Sequence, residues 1–277
     1  MKKTIQIFMT IVGTFTAYLG ANIIAGLLLG VYYGGLYGEE GSLEGFDYFF
    51  SQNTNILLIV ASFIALAIFW VAYKVRRKSI FRALNVRRIT ISAIPKSIFI
   101  GSFFSLFLFS LISLTNVYRL FPSHGEVMES IIPAEGNFLL IFLSIAIVVP
   151  VFEEVMHRGI IYQQLKKGLP LPLAVITQAL IFAIFHLNWL QGMYAFLGGI
   201  VLALLFEYTR SLWAPILMHM GWNATSLFIP SISSQWALGG ILVLSLGMLI
   251  FLIKKLKENR VVEIEYKESY DSGSMQS

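Results

Sequence analysis

Apolar residues run in long blocks along most of the chain, and the polar residues collect between these blocks instead of alternating with them. A helix that spans a bilayer needs about 20 predominantly apolar residues. Runs of roughly that length fall at 5–32, 53–73, 97–117, 137–161, 171–187, 190–208, 212–229 and 236–254. The pattern predicts an all-α fold, a polytopic membrane helix bundle with about eight transmembrane helices. The first run follows Met1, Lys2 and Lys3 as a signal peptide would. Its core far exceeds the ~7–15 apolar residues of a cleaved signal, so it is expected to stay as a span.

The connections between runs alternate in charge. "YKVRRKSIFRALNVRR" and "QQLKKG" are basic, as are both ends of the chain, whereas "GEEGSLEGFD" and "PSHGEVMES" are acidic. The positive-inside rule then puts both termini in the cytoplasm and leaves Arg119 as the one basic residue outside. Three stretches follow: 1–130, helices without a recognisable motif; 131–256, a membrane core rich in candidate chemistry; and 257–277, a polar tail expected to be disordered.

Composition sharpens this picture. Hydrophobic residues make up 57% and charged residues 13%, with a mean hydropathy of +0.77, which excludes an ordinary soluble domain. The net charge of +5 sits beside apolar runs, where it reports topology and contact with anionic lipid, not nucleic acid. There is no cysteine, so disulfides, thiol nucleophiles and thiolate metal sites are excluded. Chemistry must come from carboxylate, imidazole or hydroxyl groups.

Of the 15 acidic residues, only Glu153 and Glu154 fall well inside a run, and three of the four histidines, His157, His186 and His219, lie in such runs. A charge at mid-bilayer costs about 2.5–3.5 kcal/mol on insertion scales and faces a polar cavity or a partner. In "VPVFEEVMHRGIIYQQLKKG", residues four apart share a helix face, which aligns Glu153 with His157 and Glu154 with Arg158. The second pair can neutralise itself, leaving Glu153 for chemistry. Pro150 is expected to bend this helix, and Pro215 to break another beside His219. The same spacing joins Phe182 to His186 and His219 to Asn223. An inert packing network is the alternative; the convergence of two histidines with a carboxylate pair favours general base work or metal ligation.

These residues resemble the CPBP family of intramembrane proteases, also called the Abi or CAAX-protease family. Its signatures appear in order as EExxxR (Glu153, Glu154, Arg158), FxxxH (Phe182, His186) and HxxxN (His219, Asn223), over roughly residues 135–230. The resemblance implies a peptide hydrolase in the cell membrane, expected to be a bacterial plasma membrane. Its partners would be the lipid bilayer and a membrane peptide or lipidated-protein substrate, such as a bacteriocin-like peptide. Glu153 and His186 would activate water, and His219 and Asn223 would hold the oxyanion. A zinc version would use Glu153, His186 and His219 as ligands, with Glu154 as base. A non-proteolytic immunity or regulatory partner and an ion-coupled transporter are the other readings. Along ideal helices His186 lies about 20–24 Å from the cytoplasmic end and Glu153 and His219 about 12–15 Å, a mismatch in depth that tilt or a shifted boundary must close.

Overall fold

A computed structural model of the chain describes residues 2–38, 43–133, 136–229, 232 and 234–274. Helices are α1 (Lys2–Tyr37), α2 (Leu43–Gln52), α3 (Thr54–Val75), α4 (Ile80–Ala83), α5 (Ala93–Thr115), α6 (Ser123–Ile131), α7 (Phe138–Leu165), α8 (Leu171–Phe185), α9 (Trp189–Thr209), α10 (Trp213–Phe228) and α11 (Gln235–Ser274). No strand occurs among the described residues. Residues 39–42 of the acidic connection lie outside the description, as do 275–277 of the tail expected to be disordered; the backbone of α11 continues to Ser274.

Every apolar run is helical, though two of these helices are short among the described residues. Six helices, α1, α3, α5, α7, α9 and α11, are long and apolar enough to span a bilayer. The other two have only 15 and 16 residues. At 1.5 Å per residue they reach about 22–24 Å, short of the ~30 Å hydrocarbon layer. The runs expected at 171–187 and 212–229 are these two helices, shorter than the other six. Leu187, just past α8, and Arg210, at the end of α9, both adopt left-handed backbone, at φ 52°, and Asn188 caps α9 by accepting a hydrogen bond from the Gln191 N–H at 3.0 Å. Pro215 breaks nothing: it occupies the first turn of α10, where its missing N–H would have no partner anyway.

In lipid, apolar burial does not drive helices together, so close packing of small residues has to. Ser97, Gly101 and Ser105 form a buried four-residue-spaced stripe on α5. A Cβ at Gly101 would lie 1.8 Å from the Met218 carbonyl oxygen, and one at Gly221 would lie 2.3 Å from that of Ile98. Helices α5 and α10 thus meet backbone to backbone. Buried Ala21 and Ala25 on α1 and Ala61 and Ala65 on α3 serve that pair of helices in the same way.

The basic connection from α3 to α5 folds across one end of the bundle. Gln163 of α7 donates to the Ala83 carbonyl at 2.7 Å and accepts from Asn85 at 2.8 Å, while the Leu212 N–H donates to the Asn85 carbonyl at 3.0 Å. At the other end lies α6, held by Asn55 donating to the Ile131 carbonyl at 3.0 Å and by a 3.2 Å His124–Asn188 hydrogen bond.

Candidate active site

Helix α7 is not uniform. An α-helical stretch at Val149–Glu154 lies between π-helical stretches at Phe142–Val148 and Val155–Tyr162. In a π turn each N–H bonds the carbonyl five residues back. Pro150 has no N–H, so the π ladder stops there and the Ile145 carbonyl is left over. The Asn223 side-chain amide of α10 donates to that carbonyl at 2.9 Å. The helix fault that the proline creates is closed by a residue from a different helix.

Glu153 and Glu154 end the α-helical stretch and are both buried. Arg158, completely buried, donates from Nη1 to Glu154 Oε1 at 2.6 Å and from Nη2 to the Gly199 carbonyl at 3.3 Å, with its guanidinium 4.5 Å from the centre of the Phe182 ring. The expected Glu154–Arg158 pair is therefore present. The same Glu154 oxygen accepts from His219 Nδ1 at 2.8 Å. A carboxylate can only accept, so Nδ1 carries the hydrogen and the ring is oriented with Nε2 outward. That nitrogen lies 3.7 Å from Glu153 Oε2, too far for a direct hydrogen bond. The two atoms face one space without being bonded to each other.

His186 stands just past the end of α8, and its Nδ1 donates to the Phe182 carbonyl at 2.8 Å, which leaves Nε2 as the acceptor. Phe182 joins the pieces: its ring centre is 4.8 Å from that of His186, 4.9 Å from His157 and 5.9 Å from His219. His186 lies within electrostatic reach of both Glu153 and His219. The expected difference in depth does not keep the two histidines apart, since the rings of His186 and His219 both pack against Phe182.

The structure departs from the expected alignment of Glu153 with His157. No hydrogen bond or ion pair joins them; the ring of His157 packs edge-on against Phe182 and Phe185, and neither of its nitrogens has a partner among the described residues. A π turn opens just after Glu154, so four residues no longer complete a turn, and only the long Arg158 side chain spans the offset. The zinc set fares similarly. Among the described residues no group of three histidine, aspartate or glutamate side chains is placed to hold one metal ion, so Glu153, His186 and His219 do not fit that role.

Some participants carry no motif. Tyr18 of α1 stacks on Phe152 at 5.3 Å between ring centres, one residue from Glu153, and the carbonyls of Gly199 and Ile145 serve through backbone atoms that any residue supplies. Trp222, three residues after His219 and so on its helix face, packs 5.6 Å from that ring and was a readable signal.

Residues 135–225 match the family model described as Type II CAAX prenyl endopeptidase Rce1-like. The match takes in all seven motif residues, Glu153, Glu154, Arg158, Phe182, His186, His219 and Asn223. No curated protein and no solved structure matches the chain. Through this helical segment, from α7 to α10, the chain is similar to the CAAX-protease family.

Proposed function

We propose that the chain is an intramembrane endopeptidase that hydrolyses a membrane-associated peptide or lipidated protein with water activated by Glu153 and His186. One observation carries this reading: the buried series Arg158–Glu154–His219 ends facing Glu153, inside the segment that matches the endopeptidase family. Arg158 and Glu154 neutralise each other, so Glu153 is the carboxylate left for proton transfer.

In the proposed reaction, Glu153 takes a proton from water, with His186 Nε2 accepting a second hydrogen bond, as the water oxygen bonds the scissile carbonyl carbon. The carbonyl electron pair moves onto oxygen. The second amide hydrogen of Asn223, whose first is held by Ile145, is the donor assigned to that oxyanion, while His219, its Nδ1 hydrogen held by Glu154, turns an accepting Nε2 toward the water beside Glu153. The carbonyl then re-forms, the C–N bond breaks, and Glu153 returns its proton to the leaving amine. With the basic connections facing the cytoplasm, both termini lie on that side.

The test uses purified protein in nanodiscs and a fluorogenic farnesylated peptide ending in a CAAX sequence. Glu153→Gln and His186→Ala should each lower kcat by about 10²–10⁴-fold, the usual worth of general base catalysis. The double variant should lose little more, because members of one catalytic unit are not additive. Helical content and membrane abundance should be unchanged. Full cleavage by Glu153→Gln would overturn the assignment.

A further inference from the structure

Between α1, α3 and the half of α7 nearest the basic connections lies an open cavity of about 810 Å³, within the range of small-molecule sites. Three cationic side chains, Arg76, Lys78 and Lys167, stand in its lining, and no acidic residue does. Their neighbours are treated differently. Lys166 and Arg210 both bind Glu207, so the bundle neutralises its basic end where helices pack. Around the cavity it does not: Arg76, Lys78 and Lys167 have no ion-pair partner among the described residues. Lys167 donates to the neutral Gln164 Oε1 at 2.9 Å, and Gln164 stands in the lining as well.

Toward the middle of α1 and α3 the lining includes Ala17, Ile68 and Phe69. The Phe69 and Phe152 rings are nearly parallel at 6.5 Å and Tyr18 lies over Phe152, so an aromatic layer separates this cavity from Glu153. A cationic mouth above an apolar floor, at the end of a membrane bundle, is the shape of an amphiphile with a negative head.

We propose that this cavity binds a phosphate-bearing anion on an apolar tail, an anionic phospholipid of the adjoining leaflet, with the phosphate held by Arg76, Lys78 and Lys167 and the tail against Ile68 and Phe69. The site is separate from the hydrolytic one and does not depend on it.

The experiment measures binding of fluorescent short-chain phosphatidylglycerol to the purified, delipidated full-length protein, with phosphatidylcholine and inorganic phosphate as competitors. Saturable binding is expected, displaced by unlabelled phosphatidylglycerol but not by phosphatidylcholine. The triple variant Arg76→Gln/Lys78→Gln/Lys167→Gln should bind at least tenfold more weakly, while Lys254→Gln/Lys255→Gln, which alters basic residues outside the cavity, should bind as the parent does. Displacement by inorganic phosphate at low millimolar concentration would overturn the lipid assignment in favour of a soluble phosphate. Equal competition by phosphatidylcholine, or an equal loss in both variants, would overturn the site.

Discussion

Replacing Arg158 with alanine removes the cation from a pair that has no access to solvent on either side. Arg158 and Glu154 are each 0% exposed, 2.6 Å apart, and the arginine also holds the Gly199 carbonyl. Taking one partner from a buried pair costs about 3–5 kcal/mol, because the remaining charge keeps its desolvation penalty and loses its compensation. His219 still donates to Glu154 in the variant, which places the expected loss near the lower figure. At 1.4 kcal/mol per tenfold, this is roughly a hundredfold in the folding equilibrium. Removing both charges should hurt less than removing one, since buried pairs replaced by apolar residues of similar volume are often neutral. The assay is a double-mutant cycle of Arg158→Leu and Glu154→Leu, with Arg158→Ala alongside, unfolded by dodecyl sulfate in mixed micelles and followed by circular dichroism. An Arg158→Ala variant within about 0.5 kcal/mol of the parent, a difference typical of an ordinary surface change, would refute the argument. So would a double variant whose loss is the sum of the two singles.

Asn223→Ala should cost about 1–3 kcal/mol by orphaning the Ile145 carbonyl, and Pro150→Ala in that background should restore much of it by supplying the missing N–H; thermal unfolding of the two variants decides, and no recovery would disprove the link. His124, half-buried against Tyr194 and Asn188 at the end of the bundle, has its pKa pushed below 6.5 by burial, an effect the Asn188 hydrogen bond opposes. A depressed histidine stabilises the fold fully above its unfolded pKa of about 6.5, and this contribution is lost as pH falls from there toward the lower folded value. Hydrogen exchange in α6, corrected for its intrinsic pH dependence, should therefore accelerate between pH 7 and 5; an equal acceleration in His124→Gln would show that the histidine is not responsible.

Much of this architecture was legible in the sequence because it depends on local periodicity. Apolar blocks marked every long helix, and the four-residue spacing of Glu154 and Arg158 gave their ion pair. The turns at Leu187 and Arg210 were not legible, because left-handed backbone falls there on residues with no intrinsic preference for that conformation. The partner of Glu153 was misread because the spacing rule assumes an α-helix, and α7 changes period at Val155. His219 reaches Glu154 across 65 positions, and Asn223 reaches Ile145 across 78, contacts that only tertiary packing can create. The proline was the one local clue that a backbone carbonyl in α7 would need an outside donor.

The glycine contacts between α5 and α10 have a mechanical side. Where peptide groups touch peptide groups, no rotamer can yield, so the joint at Gly101 and Gly221 has no clearance and the two helices travel as one piece. His219 and Asn223 ride on that piece, while Glu153 and Glu154 ride on α7, joined to it chiefly through side-chain hydrogen bonds that can lengthen and re-form. The site is then a vice with one fixed jaw and one that gives. The datum from which the fixed jaw is aligned is α5, a helix outside residues 135–225, so the matched segment would lose its alignment if grafted onto another N-terminal half.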